Sequence, residues 1–175
     1  SLTNSALFLG LVGLAQFLPM FFLTLAVGHV ADRYDRRTVA RICQAAEGLA
    51  ALALAWGSHS GWLGSHGILI IMFTVGAVHA FEGPTMHALV PALVPAELIP
   101  RAAAWSASAF QSAVILGPAL GGLLYAGGPT TVYTAAAALF LAANFFLARI
   151  RMERAPAMRE PVSLAALFAG ISFIR

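Results

Sequence analysis

The sequence predicts an all-α bundle of membrane-crossing helices, and three observations predict it. Of the 175 residues, 60% are hydrophobic and 10% charged, with a mean hydropathy of +0.85, too little polar surface to cover a water-soluble globule. The apolar residues gather into five stretches, each near the ~20 residues that a helix needs to cross a bilayer. All ten basic residues are arginines, and they occupy alternate gaps. Arg33, Arg36, Arg37 and Arg41 follow the first stretch, Arg101 follows the third, and Arg149, Arg151, Arg154, Arg159 and Arg175 follow the fifth. Positive residues concentrate in cytoplasmic loops, so the arginine-bearing gaps are expected inside, in a multi-pass protein of the cell (inner or plasma) membrane.

The expected spans, in order, are 6–28, 38–56, 67–90, 102–125 and 131–148. The first is the run from Ala6 to Gly28, closed by charged residues. The second is separated from the third by GSHSGWLGSHG, an uncharged Gly and Ser segment suited to an outer turn. The fourth follows Arg101, and little more than GGPT parts it from the fifth, which predicts a tight hairpin. Trp56, Trp62, Tyr125 and Tyr133 mark the outer headgroup level, and Tyr34 and Trp105 the inner one. After the fifth span, 149–175 begins as a charged, proline-broken cytoplasmic linker. It ends in SLAALFAGISFIR, where Leu164, Leu167, Phe168, Ile171 and Ile174 form an apolar stripe suited to a helix lying in the membrane surface. Five spans place the N-terminus outside and the C-terminus inside. An outside start without a signal peptide leads us to expect an earlier helix.

Other function classes find little support. A net charge of +3 and a pI near 9.8 would suit nucleic acid in a soluble domain, but membrane orientation already accounts for the arginines. The single cysteine, Cys43, precludes an internal disulfide and suits a small buried hydrophobe. The segment GSHSG has His59 where a hydrolase elbow has Ser, and neither HExxH nor a Walker phosphate loop occurs. His59 and His66 suit a solvated loop. No catalytic residue, cofactor or metal site is expected, and ATP bound to this chain is not expected to power it.

The densest charged motif is GHVADRYDRR, Gly28 to Arg37, between the first two spans. It resembles the signature loop between the second and third helices of the major facilitator superfamily: Gly, three variable residues, Asp, Arg, an apolar or aromatic residue, Gly, then two basic residues. Gly28, Asp32, Arg33, Arg36 and Arg37 match, and Asp35 stands in place of the second glycine. The resemblance implies that the first span is the family's second helix, and that the missing partners are the first helix and the C-terminal half. It also implies a gating loop, with Asp32 anchored to a helix N-terminus in the other half.

Gly117, Pro118, Gly121 and Gly122 spell GPALGG in the fourth span. This resembles the family's antiporter motif, with Ala104 and Ala113 where the fuller pattern has glycines. The small residues also suit close helix approach, and Pro118 suits a kink. In HAFEG, His79 to Gly83, His79 occupies the position of an Arg sometimes linked to proton coupling. His titrates near physiological pH, whereas Arg stays charged.

Ionisable groups inside a bilayer are expensive and are functional candidates by default. Here these are Glu47, His79 and Glu82, as coupling or substrate residues. Glu82 is also available to a gating network with Arg36 or Arg37. Gln16, Gln111 and Asn144 suit interhelical contacts or substrate hydrogen bonds.

The resemblance spans nearly the whole chain. GLAQFLP, FEGPTMHALVPALVP, LGPALGGLLYAGG and REPVSLAALFAGISFIR look most like the branch of enterobactin and macrolide-type exporters. It implies a partial N-terminal half of the major facilitator fold and proton-coupled efflux of an amphipathic small molecule, with protons, substrate and the lipid bilayer as partners. The alternatives are a facilitator or uptake carrier of the same fold, or a non-transporting membrane scaffold or gene remnant.

Overall fold

The computed structural model describes residues 6–150, of which 24–33 are described by their backbone alone. Five helices run through them: α1 (Ala6–Arg33), α2 (Arg36–Ser60), α3 (Ser65–Ala92), α4 (Ile99–Tyr125) and α5 (Pro129–Arg149). A single 3-10 turn, Ala96–Leu98, precedes α4. All five helices are long and apolar enough to cross a membrane, and no strand occurs among the described residues. The expected linker and surface helix, apart from Arg149 and Ile150, lie outside the described residues.

Each expected span falls inside one helix, and each helix runs past its span at one end or both. Apolar runs mark only the bilayer core, whereas backbone hydrogen bonding continues until something caps it. At α2 the cap is Asp35, in extended conformation, whose carboxylate accepts from the Arg37 N–H and the Thr38 hydroxyl, each at 3.1 Å. The helix therefore starts at Arg36 instead of 38. It stops at Gly61, whose φ of 71° lies in the left-handed region and whose N–H bonds the Gly57 carbonyl at 3.0 Å.

The helices pack in a chain: α1 on α3, α3 on α2, and α2 on α5. Small residues set the approach. A Cβ at Gly76 of α3 would collide with the backbone of Gln16 of α1, so the two main chains touch there. At Gly48 of α2 the nearest atom to such a Cβ is Phe140 Cβ of α5, at 3.4 Å. A small core of Ala40, Leu89 and Leu147, flanked by Met86 and Ile150, joins α2, α3 and α5 at the arginine-bearing end.

Helix α4 departs from the expected tight hairpin. Only 126–128 separate it from α5, yet none of its residues is buried and it only grazes α3 and α5. A short connection constrains where a helix begins, and side-chain packing decides where it lies. Pro118 removes one N–H from its ladder.

Candidate functional site

Two side-chain pairs, each spaced three residues apart and hence on one helix face, meet across the α2–α3 interface. Gln44 and Glu47 come from α2, His79 and Glu82 from α3. Gln44 Nε2 donates to Glu82 Oε1 at 2.7 Å, and His79 Nε2 stands 3.1 Å from Glu47 Oε1. Potential ligand atoms of Glu47, His79 and Glu82 all lie within 4.8 Å of one another.

Burial differs sharply within the group. Glu47 is 3% exposed, whereas the His79 side chain is 50% exposed, so the cluster opens on the histidine side. Both Glu47 oxygens are sealed from solvent without a well-directed hydrogen bond. An ionised carboxylate in that state is costly, and a second carboxylate beside it raises the cost. The arrangement stores negative charge that a cation can neutralise.

The arginines of the signature loop make a second assembly. Arg37 donates from Nε to the Leu147 carbonyl at 3.0 Å and from Nη2 to the Ala148 carbonyl at 2.5 Å. Arg36 Nη1 donates to the Ala88 carbonyl at 3.1 Å. Both guanidiniums thus sit on carbonyls at the C-terminal ends of α5 and α3, where a helix gathers partial negative charge. They bracket the Ala40, Leu89 and Leu147 core. One turn further on, Arg41 Nε reaches Asn144 Oδ1 at 3.4 Å and Asn144 Nδ2 returns a bond to the Arg41 carbonyl at 3.1 Å.

Of the residues singled out in the sequence, Arg36, Arg37, Glu47, His79, Glu82 and Asn144 fall into these groups. Glu82 faces Gln44 and the Glu47 cluster and not Arg36 or Arg37, because those two arginines are engaged by backbone carbonyls. Gln16 bonds Met72 Sδ at 3.2 Å across the α1–α3 contact. Gln111, Gly117, Pro118 and Gly122 are exposed and Gly121 is half-buried on α4, and a Cβ at any of the three glycines would meet nothing within 4 Å. The side chains of Asp32 and Arg33, with Gly28, lie outside what the structure describes. Gln44 and Asp35 were not among the candidates. Gln44, one turn before Glu47, carried a legible signal on the same helix face.

An apolar groove of about 390 Å³ between α1 and α3, lined by Leu11, Leu14, Leu18, Leu69, Ile70 and Phe73, carries no ionisable group.

Comparisons with known proteins agree with this architecture. The profile of a family described as transmembrane secretion effectors matches residues 1–175. Macrolide efflux protein A of Streptococcus pyogenes is 30% identical over 127 residues, covering 70% of this chain and 30% of that protein. The multidrug efflux pump Tap of Mycobacterium tuberculosis is 29% identical over 175 residues, covering 93% of this chain and 40% of the pump. The staphyloferrin A transporter of Staphylococcus aureus is 28% identical over 147 residues, covering 79% and 36%. The chain therefore spans between 30% and 40% of the length of these relatives. No solved structure matches.

Proposed function

Because this chain belongs to the transmembrane secretion effector family of the major facilitator superfamily, we propose that it forms part of a proton-coupled exporter of an amphipathic small molecule. It is a membrane transporter chain, and the efflux activities named for its relatives motivate the direction. The observation that carries the coupling is the Glu47–His79–Glu82 cluster: two carboxylates and an imidazole, close together and partly sealed within apolar helices. Protonation neutralises a buried carboxylate, and loss of the proton restores a charge that the interior disfavours. The two states therefore favour different packings of α2 against α3.

In this reading Arg36 and Arg37 hold the ends of α3 and α5 to the start of α2, so the three helices move as one body. Transport follows from rocking that body against a second one. Asp32 and Arg33, beside this clamp in sequence, supply the gate between them. Arg-bearing loops lie in the cytoplasm and the chain in the cell membrane.

The test uses inside-out membrane vesicles containing the protein at the full length of its coding sequence, with an acidic lumen and a radiolabelled macrolide. Expected is accumulation in the lumen that a protonophore abolishes and that Glu47→Gln loses while retaining membrane insertion. Accumulation indifferent to the gradient would remove proton coupling. Uptake by right-side-out vesicles driven by outside acid would reverse the direction and favour the uptake carrier.

A further inference from the structure

We infer that Glu47, His79 and Glu82 form a binding site for one divalent transition-metal cation of the zinc class. Binding of the metal does not depend on the direction or coupling of transport. The donor set is one imidazole and two carboxylates, which suits zinc, iron or manganese better than the all-oxygen preference of calcium or magnesium.

The geometry fits. Bonds near 2.0 Å in a tetrahedron place neighbouring ligand atoms about 3.3 Å apart. His79 Nε2 and Glu47 Oε1 are 3.1 Å apart, and all three ligand atoms lie within 4.8 Å. Glu47 supplies the independent sign of a ligand: a carboxylate 3% exposed, with both oxygens lacking a directed hydrogen bond, turned into the cluster.

Outer contacts orient the set. Gln44 Nε2 bonds Glu82 Oε1 at 2.7 Å, which fixes that carboxylate and leaves Oε2 to ligate. Cys43, one turn before Glu47, stays out: its Sγ lies 3.9 Å from the Val78 carbonyl. The half-exposed His79 leaves an approach for the ion. Charge agrees as well, since two carboxylates balance a dication, whereas one proton leaves one of them uncompensated.

The experiment titrates Co2+, then Zn2+, into the purified protein at the full length of its coding sequence, in detergent and without a polyhistidine tag. The parent is expected to bind one equivalent more than Glu47→Gln or His79→Asn, with a visible Co2+ absorption band that Zn2+ abolishes. Each variant weakens that site by at least about tenfold, while Cys43→Ser leaves it unchanged. Because His79 is half-exposed, His79→Asn keeps the test valid even if Glu47→Gln fails to elute as a single species. Equal stoichiometry and affinity in the parent and His79→Asn would overturn the site. Loss of macrolide export with metal binding intact would strike the transport reading alone.

Discussion

Arg37 binds the end of α5 from the start of α2: its Nε donates to the Leu147 carbonyl at 3.0 Å, across 110 residues of chain. The guanidinium fork reaches two successive carbonyls, and no single ammonium reproduces that geometry. Arg37→Ala is expected to destabilise the α2–α5 pair by about 1.5 kcal/mol, the lower end of the range for charged hydrogen bonds because the side chain is partly solvated. Arg37→Lys should recover only part, since a positive charge near the α5 terminus persists. Thermal unfolding in detergent checks both, and equal stability of the parent and Arg37→Ala would show the clamp to be idle.

Asp35 provides a second test, because the family pattern has glycine where this chain has an N-cap. Its carboxylate holds the Arg37 N–H and the Thr38 hydroxyl. Asp35→Ala should cost about 1 kcal/mol, and Asp35→Gly only a few tenths. The ranking Ala below Gly below Asp in unfolding temperature is the expected result, and Ala equal to Asp would contradict it.

The α1–α3 contact at Gly76 has no room for a side chain. Gly76→Ala puts a methyl against the Gln16 backbone and should cost about 1–3 kcal/mol, as overpacking does. Gly83→Ala on the same helix meets nothing within 4 Å and is expected to be neutral. Yields of folded protein from the two variants give the comparison, and indistinguishable yields would mean that the helices part without cost.

Asp32→Asn should lower transport in the vesicle assay while insertion, followed by protease protection of the loops, stays normal. Unaltered transport would take the gating role away from that residue.

The five helices were legible because each needs about twenty apolar residues, a signal long enough to survive every local irregularity. The clamps were not. Arg36 and Arg37 are conspicuous in the sequence, but their acceptors are the carbonyls of Ala88, Leu147 and Ala148, and a backbone carbonyl leaves no mark on residue type. The cluster was half legible: Glu47, His79 and Glu82 stood out as charges in apolar runs, yet their convergence depends on how α2 and α3 rotate against each other. Gln44 could be placed beside Glu47 from its spacing, but its bond to Glu82 follows only from that rotation. For α4 the short link to α5 suggested adjacency, and only packing reveals that the helix stands apart.

The reach of the Arg37 clamp also sets a clock for biosynthesis. Its acceptors are made 110 and 111 residues after it, and at about 5–20 residues per second a ribosome needs roughly 6–20 s to cover that distance. Through that interval the most polar of the five helices holds the Arg37 guanidinium without its final partners. It must be sheltered by the insertion machinery, or remain shallow in the bilayer, until α5 emerges to complete it.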